Sequence, residues 1–103
     1  QINQVILNIL VNAAQAIGDH GVITVRTWCD GAFVRLSVAD TGCGIAPEYM
    51  NRLFDPFFTT KEPGKGTGLG LSISYDIIKK HDGTITVSSK PGKGSCFTVS
   101  LPC

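Results

Sequence analysis

The sequence lacks the features that mark several common classes of protein. It has no CxxC pair, no apolar run that reaches the ~18 residues of a membrane span, and no targeting segment. Its nine Lys and Arg and eight Asp and Glu are interspersed, and the formal net charge is only +1. This balance provides neither a basic face for nucleic acid nor a polybasic patch for a membrane. We therefore expect no nucleic-acid partner and no direct membrane contact.

Cysteine is scattered along the chain and forms no recognisable site. The Cys residues show no metal-ligand spacing with either His20 or His81. Such a pattern is typical of reduced thiols in a cytosolic protein. The residues concerned are Cys29, Cys43, Cys96 and Cys103.

Length and composition indicate one ordinary globular domain. The 103 residues, 43% of them hydrophobic and 17% charged, are enough to form an apolar core without disulfide or metal staples. We assign residues 1–103 to a single domain. Because the chain starts abruptly within a helical pattern, we interpret it as a piece of a longer protein.

The hydrophobic period changes along the chain and predicts helices alternating with strand pairs. Apolar residues recur at helical spacing from Ile2 to Ile17. Between Asp55 and Gly70, two prolines and four glycines with little periodicity predict a long mobile loop. The other predicted elements are a hairpin of Val22–Cys29 and Phe33–Asp40, a short helical turn from Pro47 to Phe54, a helix from Leu71 to His81, and a strand pair of Thr84–Ser89 and Ser95–Leu101.

Six of the twelve glycines fall in two short stretches, Asp40–Ile45 and Gly64–Leu71. Such density is expected where the backbone turns sharply or approaches a ligand closely. The second stretch is neither a Rossmann loop, since no strand leads into it, nor a P-loop, since the GKS or GKT ending is absent. It leads into a predicted helix, and the free amides of a helix N-terminus favour phosphate. The two stretches together suggest a nucleotide site.

Asp40 is the most specific single candidate for a ligand-binding residue in the chain. It ends a strand in which Val34, Leu36 and Val38 alternate with small or polar residues. We expect these aliphatic side chains to be buried, and period two places the Asp40 carboxylate on the same face, where an unpaired charge is costly. The carboxylate needs a hydrogen-bond donor, which is either a backbone amide of the following turn or an exocyclic amine of a purine. The sequence leaves both open.

A polar stripe without any charge follows the first helix, and its apolar flanks, Leu7 and Val11, predict that it is partly sheltered from solvent. A solvent-exposed face usually carries Lys or Glu, and each mid-helix Asn costs ~0.5 kcal/mol or more relative to Ala. Asn8 and Asn12, one helical turn apart, are therefore candidates to direct side-chain oxygens at a ligand, and capping of a neighbouring loop is the alternative. The stripe consists of Gln1, Gln4, Asn8, Asn12 and Gln15.

Four segments of the chain resemble the boxes of the catalytic ATP-binding domains of sensor histidine kinases. Residues 8–13 are similar to the N box, 40–45 to the G1 box, 54–61 to the F box and 66–71 to the G2 box. The boxes occur in the order of the family and the resemblance covers essentially the whole chain, so the set is far more specific than any one box. It implies the Bergerat, or GHKL, fold, an α/β (α+β) two-layer sandwich of helices on a mixed, mostly antiparallel sheet.

The resemblance implies that ATP binds with its adenine beside the G1 box. Asp40 would accept a hydrogen bond from the adenine amino group, and Ile45 would pack on the base. Gly42 and Gly44 would let the backbone pass close to it. Ser95, in phase with the apolar residues of the last strand, would make a water-mediated contact with the adenine.

The resemblance also implies the phosphate end of the site. Asn12 would ligate Mg²⁺, Asn8 would assist at the phosphates, and Lys61 would reach them as a point charge, so these three are the catalytic candidates. Gly66, Gly68 and Gly70 would offer their amides to the phosphates. The remaining candidate contacts with ATP are Ala16, Thr60, Thr67, Leu69 and Leu71.

One difference from other branches of the superfamily concerns the reaction. The gyrase B, heat-shock chaperone and mismatch-repair branches place a Glu one helical turn before the Mg²⁺-binding Asn to activate water, and this chain has Asn8 there. The resemblance therefore implies a protein-histidine kinase, which passes the γ-phosphate of ATP to a His on a separate domain. A GHKL-type ATPase and a degenerate nucleotide-binding interaction module are the alternatives.

The form of the F box, Phe-Phe-Thr-Thr-Lys61, and a short lid resemble the nitrogen-regulation type of sensor kinase. His20 and His81 are far in sequence from every box, so we expect the phosphoacceptor His upstream of Gln1. The expected partners are the kinase's own dimerisation and phosphoacceptor domain and a downstream response regulator. We expect a cytoplasmic domain, and membrane anchoring of the full-length protein is left open.

Overall fold

The computed structural model describes residues 2–18, 20–45, 47–54 and 70–102 of the chain. Its helices and strands lie close to the bounds that the sequence predicts. The loop predicted for residues 55–70 falls almost entirely outside the described residues, so it stays a prediction. In chain order the elements are α1 (Ile2–Ile17), β1 (Ile23–Asp30), β2 (Phe33–Asp40), a 3-10 helix (Pro47–Arg52), α2 (Gly70–Lys80), β3 (Thr84–Lys90) and β4 (Gly94–Pro102).

The four described strands form one sheet in the order β1-β2-β4-β3, and each neighbouring pair is antiparallel. Because β2 and β4 are central, the end of β2 lies beside the start of β4. The register pairs Asp40 with Ser95, and Ser95 in turn with Ser89 of β3. Side chains directly opposite one another in a sheet share a face, so these three residues form one cross-strand row.

Both helices pack on the same face of the sheet, which confirms the predicted α+β sandwich of two layers. The helix α1 lies over the central strands β2 and β4, and α2 packs beside it over β3. Helical spacing explains which residues of α1 are buried, because positions four apart share a face. The buried core consists of Val5, Ile9, Ala13, Val38, Ile77, Ile78, Ile85, Phe97 and Val99.

Burial along β2 falls toward the hairpin. Val38 is 1% exposed, but Val34, on the same face of the strand, is 43% exposed. The alternation of side chains was predicted correctly, but the prediction that Val34 is buried is wrong, because α1 does not cover that end of the sheet. The apolar flanks that were predicted to shelter the polar stripe of α1 are also open, since Leu7 and Val11 are exposed.

None of the described helices combines the length and the hydropathy that crossing a lipid bilayer requires.

We expect Phe97→Ala to lower the free energy of unfolding by about 3–5 kcal/mol, because it removes a buried aromatic ring from the centre of the core. Val25→Ala is the matched control, since Val25 lies in the same cross-strand row but is 49% exposed. The control should change stability by no more than about 1 kcal/mol. Urea titration of both variants measures the difference, and equal losses would contradict the assignment of the core to this part of the sheet.

Candidate functional site

The candidate site begins where β2 ends, at the buried carboxylate of Asp40. The residue is only 7% exposed, and its Oδ1 accepts a hydrogen bond of 2.8 Å from the backbone N–H of Gly42. The turn amide is thus one partner of the carboxylate, as one of the two sequence alternatives predicted. A carboxylate accepts about four hydrogen bonds, so this bond is compatible with a ligand amine on the same group.

The turn after Asp40 packs against the C-terminal end of α1 at Ala16. The N–H of Cys43 donates to the carbonyl oxygen of Ala16 at 3.2 Å, which provides a partner for one of the last carbonyls of the helix. A Cβ on Gly42 would meet the same carbonyl group at 2.6 Å. Glycine at this position therefore allows the turn to approach the helix backbone at Ala16, and the predicted contact of Ala16 with ATP stays a prediction.

The opposite side of the same turn is held by the β3–β4 turn, residues 90–94. The N–H of Gly92 donates to the carbonyl oxygen of Cys43 at 2.7 Å. Gly44 has a φ of +75°, and a Cβ there would collide with the carbonyl oxygen of Lys90. Positive φ and the close approach of Lys90 both favour glycine at position 44.

Ser95 lies beside Asp40 in the cross-strand row, and its side chain is buried as its phase predicts. Its Oγ is 2.9 Å from the Oγ of Ser89, which also accepts a hydrogen bond of 2.7 Å from the N–H of Ile45. Ile45 packs against the core. Ser89 was not among the predicted site residues, although it is in phase with Ile85 and Val87. The alternation that identified Ser95 could therefore have found it.

The polar stripe of α1 is not uniform. Asn8 and Asn12 are half-buried, whereas Gln4 and Gln15 are exposed. The Nδ2 of Asn8 donates to the Oγ of Ser74 on α2 at 3.4 Å, and Ser74 is 0% exposed. The two Asn residues therefore lie on the side of α1 that packs toward α2, whereas the side chains of Gln4 and Gln15 are exposed to solvent.

The phosphate end of the predicted site is only partly described. Thr60, Lys61, Gly66, Thr67, Gly68 and Leu69 lie outside the described residues. Gly70 is the first residue of α2, and Leu71 packs against the core. Phe54, which begins the segment similar to the F box, contacts the ring of Tyr75 at a centroid distance of 5.3 Å. This contact attaches the start of that segment to α2.

Asn12 is the predicted metal ligand, and its side chain carries a donor of the kind that Mg²⁺ accepts. Within the part of the chain that the structure describes, no cluster of three or more His, Cys, Asp or Glu side chains could hold a metal ion. Mg²⁺ is usually bound through few protein ligands together with water and substrate phosphates. The half-buried amide of Asn12 carries a neutral oxygen of the hard type that Mg²⁺ accepts, and it fits such a site.

The chain is similar to known proteins over its whole length. Residues 1–103 match the family model described as histidine kinase-, DNA gyrase B-, and HSP90-like ATPase. The sensor histidine kinase ZraS of Escherichia coli strain K12 is 51% identical over 102 residues, which are 99% of this chain and 22% of ZraS. The signal transduction histidine-protein kinase AtoS of the same strain is 49% identical over 102 residues, which are 98% of this chain and 16% of AtoS. The chain thus spans less than a quarter of these relatives.

Solved structures show the same fold. The catalytic domain of histidine kinase ThkA, in a nucleotide-free form, matches with a TM-score of 0.86 and 39% identity, over 98% of this chain and 65% of that one. Full-length ShkA in complex with AMPPNP matches with a TM-score of 0.86 and 34% identity, over 98% of this chain and 21% of that one.

We expect Gly44→Ala to destabilise the protein more than Gly31→Ala. Both glycines have positive φ, but a Cβ on Gly31 would meet nothing within 4 Å, whereas one on Gly44 would collide with the Lys90 carbonyl. The left-handed conformation costs each variant about 1–2 kcal/mol, and overpacking adds about 1–3 kcal/mol at position 44 alone. Urea denaturation measures both losses. Equal losses would show that the close approach of residues 44 and 90 is not required.

Proposed function

The chain belongs to the family of histidine kinase-, DNA gyrase B-, and HSP90-like ATPases, and on that premise we propose that it is the Mg-ATP-binding catalytic domain of a two-component sensor histidine kinase. The domain would present the γ-phosphate of ATP to a His on a separate dimerisation domain. The observation that carries this proposal is the buried Asp40 carboxylate, held at the end of β2 beside Ser95 and a turn of two constrained glycines.

The base end of the site supports adenine as the ligand. Asp40 offers a hydrogen-bond acceptor, and its carboxylate is nearly shielded from water. A hydrogen bond to a charged acceptor contributes about 1.5–3 kcal/mol, and the amino group of adenine is a donor. Gly42 and Gly44 keep side chains away from the turn, and Ile45 offers an apolar surface for the base. Ser95 adds a hydroxyl in the same row.

The phosphate end of the proposal rests on residues with hard or cationic groups. Asn12 would hold Mg²⁺ through its amide oxygen, and the ion would neutralise phosphate charge. Lys61 would add a positive charge, and the glycines similar to the G2 box would offer backbone amides where α2 begins at Gly70. Catalysis would come mainly from positioning and charge neutralisation.

Asn8 supports phosphoryl transfer over hydrolysis. A carboxylate in this position would activate water as a general base, but an amide is not basic. In the structure the Asn8 amide nitrogen donates to Ser74. In the proposed reaction an imidazole nitrogen of the phosphoacceptor His attacks the γ-phosphorus, the bond to the β,γ-bridging oxygen breaks, and ADP leaves. We expect this chain alone to bind ATP without phosphorylating itself.

The partners of the domain follow from the same proposal. They are the phosphoacceptor domain of the kinase and a response regulator that receives the phosphoryl group. ATP as substrate and the free thiols of Cys29, Cys43 and Cys96 favour a reducing, cytoplasmic compartment.

We expect Asp40→Asn to weaken ADP binding by about 10- to 150-fold, because the new amide group cannot replace the charged acceptor. The oxygen of that amide would still accept from the Gly42 N–H, so the turn should persist. Asp30→Asn is the matched control, since Asp30 is an exposed carboxylate at the opposite end of the same sheet. Isothermal titration calorimetry gives both affinities. Unchanged ADP binding by the Asp40 variant would overturn the base-binding role.

We expect Asn12→Ala to abolish the dependence of ATP affinity on Mg²⁺. The wild-type chain should bind ATP more tightly with Mg²⁺ than with EDTA, and the variant should show a ratio within about twofold of unity. Gln15→Ala, an exposed position in the same stripe, should behave as the wild type. Calorimetric titration of each protein with ATP, once with Mg²⁺ and once with EDTA, measures these affinity ratios. A wild-type ratio in the Asn12 variant would remove this residue from the metal site.

A further inference from the structure

The Ser89 side chain connects the turn after Asp40 with the start of β4. Its Oγ accepts a hydrogen bond of 2.7 Å from the N–H of Ile45, which lies 44 residues earlier. The same oxygen is 2.9 Å from the Oγ of Ser95 and donates to the carbonyl oxygen of Gly94 at 3.0 Å. A serine hydroxyl has one proton and two acceptor sites, so these contacts use its full hydrogen-bonding capacity.

The strand pairing explains why Ser89 reaches this position. Ser89 pairs with Ser95, and Ser95 pairs with Asp40, so all three side chains share the face on which the helices pack. The preceding residue, Ser88, points to the opposite face and is exposed. Ser89 is half-buried and ends the row on the side of β3.

The segment that Ser89 contacts is the turn proposed to pass close to the base. The backbone of the β3–β4 turn already holds this segment through the Gly92 N–H and the close approach of Gly44 to Lys90. Neither contact involves a side-chain group that could specify the position of Ile45. Within the described residues, the side chain that accepts a hydrogen bond from the Ile45 N–H is that of Ser89.

We propose that Ser89 is a positioning residue for the base end of the nucleotide site. It holds the backbone of Ile45 on one side and the hydroxyl of Ser95 on the other. The distance between the Ile45 side chain and the Ser95 hydroxyl, which both face the base, is thereby fixed. This inference rests on the proposed function, because it assumes that the base lies beside Asp40, Ile45 and Ser95. It assigns to Ser89 no contact with the nucleotide itself.

Removal of the hydroxyl has a defined consequence. In Ser89→Ala the N–H of Ile45 loses its acceptor and Ser95 loses its hydroxyl partner, while the backbone contacts of residues 43, 44, 90 and 92 persist. The turn can then adopt other positions before the nucleotide binds. Because binding must order it again, the free energy of nucleotide binding becomes less favourable. The loss arises at the base end, so it should be the same for ADP and ATP.

Three variants test the proposal: Ser89→Ala, Ser89→Thr, which keeps the hydroxyl, and Ser88→Ala, the same change on the opposite face. Calorimetric titration should show about tenfold weaker binding of both ADP and ATP to Ser89→Ala. Ser89→Thr and Ser88→Ala should stay within about threefold of the wild type. Equal affinity of Ser89→Ala and wild type, or a loss confined to ATP, would overturn the proposal.

Amide hydrogen exchange without nucleotide provides a readout that a general loss of stability would not reproduce. The Ile45 amide should be protected in the wild type and should exchange at least about tenfold faster in Ser89→Ala, while core amides of β4 keep their rates. An unprotected Ile45 amide in the wild type would overturn the proposal whether or not the variant folds. Absence of ADP binding by the wild type would instead overturn the proposed function, together with this role.

Discussion

Burial of the Asp40 carboxylate is the constraint on which the rest of the candidate site depends. A charge at the end of a central strand is tolerated only when donors surround it. The Thr41 N–H donates to the Val22 carbonyl. The donor to Asp40 is the Gly42 N–H two residues after it, so this bond bends the chain into a turn. That turn places Gly42 against the end of α1, where a side chain would not fit. The conformation of the turn is therefore a consequence of satisfying one buried group.

The same turn is clamped from two directions. The end of α1 accepts the Cys43 N–H through Ala16, and the β3–β4 turn donates to the Cys43 carbonyl through Gly92. These contacts join segments from the beginning, the middle and the end of the chain. A site held in this way is organised before its ligand arrives, which reduces the ordering that binding requires. The half-buried Asn8 and Asn12 lie two turns and one turn before Ala16 on the same helix, and Asn8 donates to Ser74 of α2.

Much of this arrangement could be predicted from local patterns. The change of hydrophobic period located both main helices and all four described strands, and alternation along β2 and β4 placed Asp40 and Ser95 on the core face. The same reasoning was wrong for Val34, because alternation specifies a face of the strand but not whether a helix covers it. It overlooked Ser89, whose importance depends on partners in two other segments.

The sequence by itself determined the elements, their order and the residue types that a nucleotide site requires, because period, glycine density and box spacing are properties of short segments. The four boxes together also determined the family. Only the tertiary structure decided which partner satisfies Asp40, which end of the sheet the helices leave open, and that Ser89 holds the Ile45 amide. Hydrogen-bond partners and coverage depend on the register of strands and the packing of helices, and both arise from contacts between segments that no local pattern specifies.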